Sequence, residues 1–183
     1  MTPLRLIPVL LVWLVALCSV TAAARAATLT TKGLAPVRLG ATIAGAERAL
    51  HARLGRLSRS SHGFSTEPEA TEICWLWQRR DGRDAHITYM TERGRIVRID
   101  VTASSGTAIP TTRGIAVGSR LDAVEKAYGA DLHLEPHPLD EPTRWAVVER
   151  DGAAAIRIEV TDGAVSAMFA ATGPALDYSE GCS

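Results

Sequence analysis

The chain of 183 residues has no surplus of either charge, with twenty Lys and Arg against twenty Asp and Glu. It therefore carries no basic stripe, and nucleic acid is excluded as an expected partner, because phosphate neutralisation needs clustered cations. Cysteine is scarce: Cys18, Cys74 and Cys182 are the three present, and no two form a Cys-x-x-Cys pair, which argues against dithiol redox chemistry and against a zinc site. There is no glycine-rich phosphate loop, no dinucleotide fingerprint and no Gly-x-Ser-x-Gly elbow. Ser58, Ser60 and Ser61 stand beside His62, but adjacency in sequence does not make a triad, which is a matter of geometry across the fold. No catalytic set is assembled, no cofactor is implied, and the expectation is a non-enzymatic protein.

One long hydrophobic run is present, from Leu6 to about Val20, preceded by Arg5 and followed by the small-x-small triplet Ala24-Arg25-Ala26. This pattern predicts a secretory signal peptide over residues 1–26, cleaved near Ala26, and a periplasmic or secreted mature chain with no transmembrane segment. Pro8 and the shortness of the run argue against a membrane anchor, since spanning takes roughly 20 apolar residues. Leu17 precedes Cys18 where a lipid-anchoring signal wants a small residue, which argues against lipidation.

Cleavage would remove Arg5 and Arg25 and no acidic residue, leaving 157 residues with a formal net charge of −2. That is enough chain for a real core. Cys74 and Cys182 would then be the two cysteines of an exported protein, and a disulfide between them is expected. It would close a loop of 107 intervening residues and staple the C-terminal tail onto the first half of the chain.

What the chain does contain is a recurrence. Leu39-Gly-Ala-Thr-Ile-Ala-Gly-Ala-Glu-Arg-Ala returns 78 positions later as Val117-Gly-Ser-Arg-Leu-Asp-Ala-Val-Glu-Lys-Ala. In the first copy Ile43, Ala46, Ala49, Leu50, Leu54 and Leu57 form an apolar stripe that Thr42 caps and that Gly55 ends. In the second, Ser119 is the predicted cap, Leu121, Val124, Ala127 and Tyr128 form the stripe, and Gly129 closes it. Period-two runs follow each helix: 73–79, 84–91 and 95–102, then 144–150, 154–161 and 164–171. Asp81-Gly82, Arg93-Gly94, Asp151-Gly152 and Asp162-Gly163 stand at the turns. The predicted fold is α+β: two tandem repeats, each of short helix followed by an antiparallel meander of three to four strands, with the helices packed on one sheet face. Repeat unit 1 spans 27–113, and repeat unit 2 with the C-terminal tail spans 114–183. Segments 58–71 and 135–142 read as loops.

Val97, Ile99 and Val101, and likewise Ile156, Ile158 and Val160, alternate with the charged Arg98, Asp100, Arg157 and Glu159, so one sheet face is covered and the other is wet. Trp75 and Trp77 share a face of their strand, Cys74 and Leu76 the other, and Trp145 occupies the matching strand of the second copy. If Cys74 and Leu76 face the helix, the tryptophans form an open aromatic patch of the kind enriched at binding hot spots. In the opposite register they are core, the usual place for large aromatics. Trp75, Trp77, Trp145, Arg98 and Arg157 are thus the candidate binding residues. Asp131, His133, Glu135 and His137 fall at every second position and would share one face of a strand as metal ligands, which an enzyme or metal-dependent protein would use; Pro136 and Pro138 disrupt that strand.

The paired segments Leu39-Gly-Ala-Thr-Ile and Val117-Gly-Ser-Arg-Leu, each opening a helix ahead of a meander, resemble the helix-start signature of the SmpA/OmlA or BamE-like envelope proteins. Two such units in tandem resemble the beta-lactamase inhibitor protein architecture. The resemblance implies a sheet face available to a protein partner in the cell envelope.

Overall fold

Alternating apolar residues and two-residue turns build most of the molecule. The computed structural model describes residues 27–57, 74–103, 108–179 and 182, with Asp131 described by its backbone alone. The predicted signal peptide, Cys18, the loop 58–71 and the Ser58, Ser60, Ser61 and His62 group lie outside the described residues. Three short strands come first, β1 (Leu29–Thr30), β2 (Gly33–Leu34) and β3 (Val37–Arg38), and pair as a small antiparallel sheet. Then follow α1 (Ile43–Leu50), β4 (Leu54–Arg56), β5 (Cys74–Arg79), β6 (Ile87–Glu92) and β7 (Arg95–Thr102). After the 109–119 segment come α2 (Leu121–Tyr128), β8 (Glu135–Pro136), β9 (Arg144–Asp151), β10 (Ala154–Thr161) and β11 (Ala164–Thr172), then a 3-10 turn at Gly173–Leu176.

The turns explain the hairpins. Arg93 and Gly94 link β6 to β7 with φ of 47° and 74°, and Asp162 and Gly163 link β10 to β11 with φ of 52° and 74°. Two consecutive positive φ values match the right-handed twist of the flanking strands, which is why these turns favour residues followed by glycine. Both Gly-small pairs of the recurrent motif dock in the same way just past these turns. Gly40 N–H donates to Ile96 O and Ile96 N–H to Ala41 O, at 2.7 and 2.8 Å. Gly118 N–H donates to Val165 O and Val165 N–H to Ser119 O, both at 2.8 Å.

The α+β expectation of two tandem repeats does not hold. Among the described residues the protein is mostly β, with 44% of them in strands, one sheet of eight strands, a second of three, and two short helices. The reason is a pairing between the two runs of strands. The order is β4-β5-β6-β7-β11-β10-β9-β8, so β7 and β11 join edge to edge and a single sheet results. The helices are too short to cover it. α1 is capped by Thr42 Oγ1, which accepts Gly45 N–H at 3.1 Å, yet it stops at Leu50 because His51 takes the left-handed conformation (φ 48°). Leu54, expected on the helix, lies instead on β4. α2 starts after Arg120 rather than Ser119, whose Oγ accepts Ala116 N–H at 3.0 Å, and it ends at Gly129. From α1 only Ala46 is buried, and from α2 only Val124 and Tyr128. Leu29, Leu34 and Val37 of the small sheet, with Ile109 and Ile115, supply the rest of the cover.

Strand pairing assigns the faces. Trp77, Tyr89, Ile99, Ala170 and Ile156 form one row across β5, β6, β7, β11 and β10 on the helix side, in the main core. On the opposite face a second cluster forms around Met90, Ala155, Phe169 and Ala171, closed over by Ala175 and Leu176 of the tail. Val97 belongs there rather than with Ile99 and Val101, because the register shift beside Met90 leaves it as a bulge. The second face is therefore half apolar, not simply wet.

Gly33 shows how tightly the small sheet is fitted. Its φ is 118°, and a Cβ there would sit 2.8 Å from Val37 O. Gly33→Ala is expected to cost about 2 kcal/mol, lowering the melting temperature by roughly 4–8 °C in a scanning calorimeter.

Candidate functional site

The arginines of the second face occupy neighbouring strands. Arg98 on β7 and Arg157 on β10 flank β11, where Phe169 pairs with Asp100 on one side and with Arg157 on the other. The Arg98 guanidinium lies 3.6 Å from the Phe169 ring centroid, and the Arg157 guanidinium 3.9 Å from that of Trp145 on β9. Stacking on an aromatic face fixes the plane of a guanidinium and leaves its edge for hydrogen bonding. Both side chains are more than nine-tenths buried, at 7% and 9% exposure.

Their edges are used unequally. Arg98 Nε and Nη2 both donate to Asp100 Oδ1 at 2.6 Å, and Nη1 donates to Tyr178 O at 2.6 Å. Arg157 Nη2 donates to Asp177 Oδ1 at 3.1 Å, while its Nε and Nη1 are buried and meet no hydrogen-bond acceptor among the described residues. Such a group is costly unless a ligand or water completes it. Burial holds the Arg157 pKa below its ordinary value, against the opposing pull of Asp177. Glu159, two residues on, faces the same way and feels both Arg98 and His137.

Burial pushes the carboxyls of Asp100 and Glu159 above their ordinary values of 3.8 and 4.5, with Arg98 drawing both back. A raised acid binds its proton more tightly folded than unfolded. Its contribution to stability is thus full below the ordinary value and lost as pH rises through the folded one. Glu159→Gln is accordingly expected to be more stable than the wild type at pH 7, with the difference closing toward pH 4 in parallel urea titrations.

The structure brings together three of the five candidate binding residues, Trp145, Arg98 and Arg157. Trp75 and Trp77 lie on the other face, toward the main core, because Cys74 and Leu76 point to the second cluster. Trp77 Nε1 donates to Thr91 Oγ1 at 2.9 Å, and the Arg56 guanidinium lies 4.5 Å from the Trp75 ring. Trp145 is itself buried, beneath Arg157 and edge-on to His137 at 4.9 Å.

Within the 131–137 group the described side chains of His133, Glu135 and His137 do not converge. His133 and Glu135 are exposed, while His137 is buried with its Nδ1 accepting Leu139 N–H at 3.3 Å. Among the described residues no three His, Cys, Asp or Glu side chains gather to hold a metal ion. Cys74 and Cys182 are joined, with Cα atoms 5.5 Å apart. No helix among the described residues is long and apolar enough to cross a membrane.

No family model, curated protein or solved structure matches this chain.

Sequence reasoning missed Phe169, His137 and the tail residues Asp177 and Tyr178 as parts of this site. Two arginines on strands with intervening aromatics were a usable signal, and the expected bond from Cys182 to Cys74 brought the tail to β5; that Asp177 and Tyr178 meet the two arginines had no mark in the sequence. A separate concavity of about 850 Å³ opens beside the hairpin of β5 and β6, between Leu34, Leu50 and Ile109 on one wall and Arg79, Asp84 and Tyr89 on the other. Its arginine is already neutralised. Arg79 forms a fork on Asp81 at 3.0 and 2.7 Å, which holds the Asp81 carboxyl down at about 2, and Asp84 stands 3.6 Å away. Burial lifts the Tyr89 hydroxyl to about 12, so it stays protonated there.

Proposed function

We propose that this chain is an exported, non-enzymatic protein of the cell envelope that binds another protein through the second face of its eight-stranded sheet. The observation that carries the reading is the pair of aromatic-stacked guanidiniums, Arg98 over Phe169 and Arg157 over Trp145, at the centre of that face. Arginine and tryptophan fixed in place by packing are the residue types that anchor protein interfaces, because little side-chain freedom is left to lose on binding. Around them the face is polar and partly open, with Gln78, Thr88, Asp100, Glu159 and Ala167 half-buried. That arrangement suits a polar rim about a buried anchor. The resemblance to envelope binding modules points the same way, as does the predicted export signal.

The test places a photocrosslinking amino acid at Thr88 or Ala167 on this face, and at Lys126 on α2 as a control, in the producing cell. A discrete crosslinked species from the first two and none from the third is the expected result. Crosslinking that ignores the face would overturn the reading. The mass of the purified chain checks the export step, for which a start at Ala27 is expected.

A further inference from the structure

The segment that follows β11 lies on the arginine face as a bound peptide would. Ala175 and Leu176 are buried against the cluster of Met90, Phe169 and Ala171. The Asp177 carboxylate meets Arg157, the Tyr178 carbonyl accepts a hydrogen bond from Arg98 Nη1, and the Tyr178 hydroxyl lies beside Glu92, which raises its pKa. Four consecutive residues thus meet an apolar floor, a cation, a second cation and a carboxylate. The tail pairs with no strand to achieve this: Gly173 N–H reaches Ala153 O, and Asp177 N–H turns back to Pro174 O. The fit is also incomplete. Asp177 is 78% exposed and uses one oxygen, while Arg157 keeps two buried N–H groups unmet.

We propose that this face is a docking site for a short acidic segment of the partner protein, with the order small residue, Leu, Asp or Glu, aromatic, and that the tail is its resident occupant. The proposal rests on the reading of the face as a protein-binding surface. A partner carboxylate that entered along the Nε and Nη2 edge of Arg157 would serve the Nε that Asp177 leaves unmet and take over Nη2 from it, in the bidentate geometry a guanidinium favours. The tail has the advantage of its tether, which gives it a high effective concentration at the site. The tail is joined to β11 by the backbone at one end and to Cys74 by the disulfide at the other, and opening the second link takes a dithiol. Its first thiolate attacks Cys182 Sγ and expels the Cys74 thiolate; its second thiolate then closes on the mixed disulfide and expels the Cys182 thiolate. The reductant leaves as a disulfide, and its two protons end on Cys74 and Cys182.

The probe is a fluorescein-labelled peptide with the sequence of residues 173–179, Gly-Pro-Ala-Leu-Asp-Tyr-Ser, followed by anisotropy. Against the full chain carrying Cys182→Ser and Asp177→Arg, so that the tail is freed at its Cys182 end and repelled from Arg157, binding is expected to be at least tenfold tighter than to the oxidised wild type. Adding Arg157→Met, or replacing the peptide's Asp by Lys, is expected to abolish the gain. Equal binding in all arms overturns the proposal. Should the variant fail to fold, hydrogen exchange on the reduced wild type serves instead: excess peptide is expected to speed exchange in the chain's own 173–179 segment, and an unchanged rate overturns the proposal. A negative peptide result with the Thr88 and Ala167 crosslinks intact removes the tail-like segment alone, whereas loss of both removes the binding face as well.

Discussion

Cys182→Ser is expected to lower the melting temperature by roughly 10–20 °C. The bond between Cys74 and Cys182 spans 108 positions. Constraining a loop of that size in the unfolded chain is worth up to about 4.7 kcal/mol, and for a domain of this length each kcal/mol moves the transition by about 2–4 °C. The physical cause lies mainly in the unfolded state, which gains freedom when the link is absent. Two further readings separate this from lost packing. The urea m-value is expected to rise, because the untethered chain exposes more surface on unfolding. Dithiothreitol is expected to bring the wild type down to the variant and to leave the variant unchanged. A variant that melts with the wild type would mean that the tail holds its place through Leu176, Asp177 and Tyr178 alone.

Arg98→Met is expected to cost about 3–5 kcal/mol at pH 7, measured by urea unfolding. Methionine keeps the length and the contact with Phe169, but it strands the Asp100 carboxylate, which is 19% exposed and has both of its Arg98 bonds removed. Removing one partner of a buried pair leaves an uncompensated charge, which is the costly case, whereas removing both is often neutral. The double variant Arg98→Met with Asp100→Leu is therefore expected to regain most of the loss. The single variant's deficit is expected to shrink as pH falls toward 4, because burial without Arg98 leaves the Asp100 carboxyl further above its ordinary value of 3.8 and it takes up its proton early. A deficit independent of pH and of the second substitution would place the arginine's value in its bond to Tyr178 O instead.

Strands were the legible part of the fold. Alternation fixes Arg95–Thr102 and Ala154–Thr161 at both ends, because turns with positive φ bound one side and the sheet's period the other. β6 begins at Ile87 rather than Asp84, since Asp84 itself adopts a positive φ of 55° and belongs to the turn. Helix α1 stops at Leu50, short of the end that the sequence marks at Gly55, because a histidine in the left-handed conformation leaves no sequence mark of the kind glycine does. The joining of β7 to β11 left no local trace either: Asp100 and Phe169 meet across 68 intervening residues. The faces of β5 were ambiguous for a simpler reason. Cys74 and Leu76 are as apolar as Trp75 and Trp77, so hydrophobicity could not say which pair meets the helices. As for the site, Arg98, Arg157 and Trp145 were legible as residue types on strands, but their burial comes from a tail whose landing place depends on tertiary structure.

The seam between β7 and β11 also shapes how the molecule comes into being. Every other pairing of the large sheet among β5, β6, β7 and among β9, β10, β11 joins strands that are neighbours in the chain, and three of those hairpins turn on two residues. Local hairpins of this sort close in microseconds, whereas bringing together segments separated by some seventy residues carries a loop-closure cost that must be met before any contact rewards it. The seam is thus the event that sets the folding rate. Substitutions at Ile99 or Ala170, which pair across the seam, are expected to register as slower folding in stopped-flow refolding, and those in the outer hairpins mainly as faster unfolding.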